Sequence, residues 1–165
     1  MQFHVEQRYR APLAGVSRAY TEPELYALFG ELPKLGEPEV LDRGEEGGRV
    51  QLAVRYSFTG ELSGAVRAVI DPERLTWVEH TVHDLARRVV ELRIVPDHYA
   101  HHLRASARSS LRPDGTGTLR VTDGEVSVRG VPFVGASVER AIVSGIEKHL
   151  AAEVDMVERY VTGPR

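Results

Sequence analysis
The densest group of chemically capable side chains is Asp97-His98-Tyr99-Ala100-His101-His102. Histidine and carboxylate both ligate metals, but only when they converge on one centre. Pro96 precedes the run, which reads as a turn with side chains in mixed directions. The expectation is therefore a solvated turn and no metal site. His80 and His83 are three apart on a predicted strand. They face opposite ways and cannot share a metal unless a bulge intervenes. His83-Asp84 has the parts of an oriented general base, because a carboxylate can hold an imidazole in place. An ordinary polar strand end is the plainer reading.

Glu79 shares parity with Leu75 and Trp77. On an inward face it would be a buried carboxylate with a raised pKa, the kind of group that does acid or base work. Val78 and Val82 argue for the other face, and parity leaves the choice open. Gln7, between Val5 and Tyr9, is a second polar candidate for the interior. Tyr9, Tyr56 and Trp77 could offer O–H or N–H donors to a ligand, although core packing is the simpler account of each taken singly. The sequence has no GxSxG, P-loop, GxGxxG or HExxH motif.

These residues need elements to position them. Residues 2–9 alternate, with Phe3, Val5 and Tyr9 on one side, which predicts a half-buried strand. One or two short helices fit residues 14–30, with Pro23 near a helix start. A weak strand follows near Glu39–Arg43, and Gly44 to Gly48 signals a hairpin. Residues 49–59 alternate most clearly: Val50, Leu52, Val54, Tyr56 and Phe58 against Gln51, Ala53, Arg55 and Ser57. AVRAVI at 65–70 fits either a helical turn or a short strand. Further strands are expected at about 74–83, 88–95, 102–112 and 118–129. In the last, Leu119 and Val121 fit one face and Val126 and Val128 the other, so a bulge is expected at Gly124. From about 134 to 161, Val138, Ile142, Ile146, Leu150, Val154, Val157 and Val161 form one face of a long helix. Glu139, Arg140, Glu147, Lys148, Glu153, Glu158 and Arg159 are expected opposite, and Gly163-Pro164 ends it.

Short turns force antiparallel neighbours, and a one-sided sheet must cover its apolar face. Only the long helix is large enough to do so. The predicted class is α+β: a curved antiparallel sheet of about seven strands around a C-terminal helix. Small inward residues, Ala105, Ala107 and Ser109, either let helix and sheet touch or leave room for a ligand.

The 165 residues suit one domain, 1–165. A net charge of -3, with bases and acids interleaved, gives no nucleic-acid footprint. There is no cysteine, which excludes disulfides and fits a cytoplasmic location. No signal peptide or membrane span is expected.

The stretches LPKLGEPEVL (32–41), VRYSFTGELSGAVRAVIDPERLTWVE (54–79), IVPDHYAHHLRASARSSL (94–111) and VERAIVSGIEKHLAAE (138–153) resemble the START-like superfamily of helix-grip proteins. That superfamily includes Bet v 1-type allergens, lipid-transfer domains and polyketide cyclases. Within it, the chain is most similar to an uncharacterised, largely actinobacterial family. The resemblance implies an internal apolar cavity and supplies no catalytic motif. The expected ligand is small and lipid- or polyketide-like, bordered by Tyr9, Tyr56, Trp77, Leu92, Ala107, Ile142 and Ile146, with no cofactor. Two alternatives stay open: a cyclase/aromatase- or dehydratase-type enzyme using ionisable groups in the pocket, and an interaction module with a filled core. Homodimerisation is also open.

Overall fold
The computed structural model describes residues 1–68, 70–131 and 133–163, apart from the Ala65 side chain. Strand β1 (Gln2–Tyr9) leads into two short helices, α1 (Leu13–Ala19) and α2 (Pro23–Phe29). Then come β2 (Glu39–Glu46), β3 (Arg49–Ser57), a helical turn α3 (Gly64–Arg67) and a 3-10 turn at Pro72–Arg74. The chain continues through β4 (Thr76–Asp84), β5 (Val89–Pro96), β6 (Leu103–Asp114), β7 (Gly117–Val128) and α4 (Gly135–Thr162). The predicted helix is thus present at nearly its expected bounds. The ambiguous 65–70 segment is helical at its start; Val69 and Pro164 lie outside the described residues.

All seven strands form one antiparallel sheet in the order β1-β7-β6-β5-β4-β3-β2. Consecutive strands from β2 to β7 pair as hairpin neighbours, and β1 joins the far edge beside β7. Helices α1 and α2 carry the chain from one edge to the other. This is the helix-grip arrangement expected from the strand and helix pattern.

Register decides which side chains face α4. Gln7 pairs with Arg120, Arg120 with Leu111, Ser109 with Val90, Val90 with His83, and His83 with Val50. One inner face therefore carries Phe3, Val5, Gln7 and Tyr9 from β1, and Thr118, Arg120, Thr122, Gly124 and Val126 from β7. It continues through Ala105, Ala107, Ser109 and Leu111 of β6 and Val90, Leu92 and Ile94 of β5. It ends with Trp77, Glu79, Thr81 and His83 of β4 and Val50, Leu52, Val54 and Tyr56 of β3. The parity question at Glu79 is settled: it faces inward.

Two expectations need correcting. β7 has no bulge at Gly124; its pairing with both β1 and β6 runs without a shift. The apolar residues change face because the inner face of β7 is polar at Arg120 and Thr122, not because the strand slips. Gly124 has a packing role instead: a Cβ there would lie 2.3 Å from the Phe3 ring and 2.8 Å from the Ser106 carbonyl oxygen. The register shift falls in β2, between Val40 and Asp42. The second correction concerns α4, where Glu153 and Glu158 are buried at 5% and 7% exposure, not on a solvated face. Glu153 sits three residues after Leu150 and four before Val157, inside the buried stripe. Glu158 accepts hydrogen bonds from the backbone N–H groups of Arg10 and Ala11, pinning the β1–α1 connection to α4.

Candidate functional site
Two kinds of interior lie between the sheet and α4. Around its C-terminal half the space is filled. Tyr9, Val16, Tyr20, Leu25, Tyr26, Phe29, Val50, Leu52, Val54, Tyr56, Leu111 and Val157 are buried together. Along its N-terminal half, inward residues stay half-buried: Trp77, Glu79, Leu92, Ile94 and Ala107 on the sheet, Ile142, Ile146 and His149 on the helix. Ile94, Ala107, Ile142 and Ile146 pack around a smaller core of Phe3, Ala105, Val126 and Val143. These inward side chains are incompletely covered by the protein.

Polar groups collect where these regions meet. Glu153 is the hub. It accepts from Tyr20 Oη at 2.8 Å and from Arg120 Nη1 at 3.3 Å, and it pairs with His149 Nε2 at 2.8 Å. Tyr20 donates to Glu153, so Tyr9 Oη donates to Tyr20 Oη across 2.8 Å. Arg120 also donates to Gln7 Oε1 at 3.2 Å, and Gln7 Nε2 donates to the Leu150 carbonyl. The Arg120 guanidinium lies 4.3 Å from the Tyr20 ring centre. Its Nε is the one buried side-chain nitrogen or oxygen left without a partner among the described residues.

Burial alone would raise the Glu153 pKa, but the His149 imidazolium and Arg120 outweigh it and hold the group ionised. Burial would also lower that of His149; its bond to Glu153 reverses this and favours the protonated ring. Two basic groups thus flank one buried carboxylate.

Glu79 differs. Its carboxyl has no hydrogen-bond or ion-pair partner among the described residues, and its half-buried side chain is not sealed from space. Burial, then repulsion from Glu153, pushes its pKa up to about 7, with His149 and Arg120 pulling the other way. It is a carboxyl poised to gain or lose a proton near neutrality. Tyr56 is its diagonal neighbour on β3, since Val54 opposes Glu79 and Tyr56 opposes Trp77. The Tyr56 ring stacks on Trp77 at 5.9 Å and meets the His149 ring edge-on at 6.2 Å.

The remaining candidates fall elsewhere. His83 is buried and bonds Thr81 Oγ1 through Nε2 at 3.0 Å. Burial, then Arg120, lowers its pKa to about 3, so the ring is neutral at pH 7. The neighbouring void, lined in part by His83, Tyr20 and Ser17, measures about 10 Å³ and holds one water at most. Asp84 instead accepts from the Arg87 backbone N–H. In the histidine-rich turn, Asp97 is bound by Arg55 at 3.3 Å, and His102 bonds the Arg129 carbonyl oxygen at 2.8 Å. That turn sits beside an open groove of about 570 Å³ lined by Arg67, Ala68, Ile70, Asp71, Pro72 and Tyr99.

Of the residues expected to border a ligand, Tyr56 and Trp77 stack together, and Ala107, Ile142 and Ile146 share one cluster. Leu92 faces inward from β5 beside Ala107, whereas Tyr9 and Tyr56 belong to the filled half, with Trp77 packed against it and the Tyr9 hydroxyl committed to Tyr20. Arg120, His149, Glu153 and Tyr20 escaped sequence reasoning. The available signal was Arg120 sharing inward parity with Thr122, and Glu153 falling inside the Leu150–Val157 stripe.

Residues 4–161 match a family described as a protein of unknown function, DUF2505. The chain belongs to that family. A search of curated proteins found no match. Among solved structures, this DUF2505 protein is similar to TTHA0849 from Thermus thermophilus, at 16% identity and a TM-score of 0.67 over 98% of this chain and 97% of that one. It also resembles the Zhui aromatase/cyclase from Streptomyces sp. R1128, with 18% identity, a TM-score of 0.65 and coverage of 98% and 94%. A third is norcoclaurine synthase from Thalictrum flavum in complex with dopamine and hydroxybenzaldehyde, with 19% identity, a TM-score of 0.67 and coverage of 100% and 88%. At these identities the likeness establishes the START-like helix-grip fold of the DUF2505 chain. No helix among its described residues is long and apolar enough to cross a membrane.

Proposed function
We propose that residues 1–165 act as one unit that binds a small, mainly apolar molecule between the middle strands and the N-terminal half of α4. The carrying observation is that Ile94, Ala107, Ile142 and Ile146 share one cluster, with inward Leu92 beside Ala107, yet stay half-buried, whereas Val50, Leu52 and Val54 of β3 are sealed. An apolar guest would cover that surface and gain the free energy of removing it from water, about 25 cal/mol per Å². The groove at Arg67, Ile70 and Tyr99 supplies an entrance beside the ends of β4 and β5. Norcoclaurine synthase, which shares the fold, holds two small aromatic molecules. Native mass spectrometry of protein purified without denaturation tests the reading. Extra mass released on denaturation supports it; a bare chain that also fails to take up the neutral probe N-phenyl-1-naphthylamine rejects it.

A second reading has one observation in its favour. Glu79 is unpartnered, titrates near neutrality and is coupled to the His149 imidazolium. A carboxyl and an imidazolium at the end of a dry site suit proton transfer of the aromatase/cyclase type. Turnover of a polyketide-like substrate, lost in Glu79→Gln with binding retained, would move this reading to first place.

A further inference from the structure
If a guest occupies this space, its polar end must meet whatever the protein leaves unsatisfied there. Three such groups converge. The Glu79 carboxyl has no partner among the described residues. The Tyr56 hydroxyl likewise has none. His149 spends Nε2 on Glu153, leaving Nδ1–H. Around them, α4 contributes His149 and Glu153, β7 contributes Arg120, α2 contributes Tyr26, and β4 itself adds neutral His83.

We propose, resting on the binding reading above, that this polar end selects a guest bearing a neutral hydroxyl group, with Glu79 as the selecting residue. The argument is one of charge. Arg120 and His149 against Glu153 leave one spare positive charge, which ionised Glu79 cancels. A guest ammonium would leave the buried cluster at plus one, and a guest carboxylate at minus one unless Glu79 took up a proton. An unbalanced buried charge is expensive. A hydroxyl adds no charge. It donates to Glu79 when that group is ionised, accepts from it when protonated, and still accepts from Tyr56 or His149. An alcohol therefore finds a hydrogen-bond partner in both states of Glu79, and adds no charge in either. A carboxylate is balanced only with Glu79 protonated, and an ammonium in neither state, its excess charge being smaller with Glu79 ionised.

The test is competition against N-phenyl-1-naphthylamine by 1-octanol, octanoate and octylamine between pH 6 and 8.5. At pH 8, octanol should displace the probe at about tenfold lower concentration than octanoate, the size expected for one satisfied buried group. Octanol's affinity should stay flat with pH, octanoate's should fall as pH rises, and octylamine's should rise. In Glu79→Gln the pH dependence of octanoate should flatten, which separates titration of Glu79 from that of the fatty acid. In Glu79→Leu the preference for octanol should vanish. Equal displacement by all three competitors, or a hydroxyl preference that survives in a folded Glu79→Leu protein, overturns the inference while leaving the cavity reading intact. A probe that never binds the unaltered protein removes both.

Discussion

Glu79 costs the protein stability, and the sign of that cost can be measured. Its pKa is about 7 in the folded chain against 4.5 for the free side chain, with burial and then Glu153 as the causes. As pH rises from 4.5 to 7 the unfolded chain releases this proton first, so Glu79 lowers stability across that window, by up to about 3 kcal/mol above it. Glu79→Gln should therefore unfold at a higher temperature than the unaltered protein at pH 8, with the gap closing near pH 4. His83 acts in the opposite sense. Burial lowers its folded pKa to about 3, so stability is lost as pH falls from 6.5 toward 3. Thermal melts across pH for Glu79→Gln and His83→Gln should change slope in opposite directions. Arg120 is a third residue-scale case. Arg120→Met leaves Glu153 short of a partner and should cost about 3 kcal/mol in chemical denaturation, whereas Arg120→Met with Glu153→Gln should cost less than the two changes summed.

At the scale of elements, α4 does two jobs along its length. Leu150 and Val157 are buried at 8% and 0% exposure, while Ile142 and Ile146 stay half-buried. Truncating a sealed residue opens a new cavity; truncating one beside an existing space does not. Leu150→Ala should cost about 2–5 kcal/mol and Ile146→Ala under about 1.5 kcal/mol, read from urea denaturation. Comparable losses would mean the two halves of α4 are packed alike.

Much of this level was legible in the sequence. Strict alternation placed Val50, Leu52, Val54 and Tyr56 on one buried face, and spacings of three and four gave α4. What was not legible has a physical reason. Alternation reports a face only while that face is apolar. On β7 the inner face is Arg120 and Thr122, so parity suggested a bulge. On α4, Glu153 read as a solvated charge because, besides His149 one turn earlier, its partners come from β7 and the end of α1, more than thirty and more than a hundred residues away. Glu79 was recognisable as a candidate, but its face came only from pairing with Val54 and Ile94.

For the whole molecule, one part of the interior is sealed around Tyr9, Val50, Leu52, Val54 and Val157, and the other, around Ile94, Ala107, Ile142 and Ile146, is only half-buried. The ionic cluster of Arg120, Glu153 and His149 is the polar end of the binding space proposed above. Ala107 is the most direct probe of this division. It faces inward from β6 between Leu92 and Gly124, on the side of Ile142 and Ile146. Ala107→Phe would add a ring on that face, where Ala107 packs against the small core of Phe3, Ala105, Val126 and Val143. Overpacking alone can cost about 1–3 kcal/mol, so the comparison belongs at matched stability. The decisive measurement is a fluorescence titration of N-phenyl-1-naphthylamine into unaltered and Ala107→Phe protein, both shown to be folded. Weakening of probe affinity by about tenfold or more is the predicted result; unchanged affinity in a folded Ala107→Phe protein would contradict a binding space between these strands and α4.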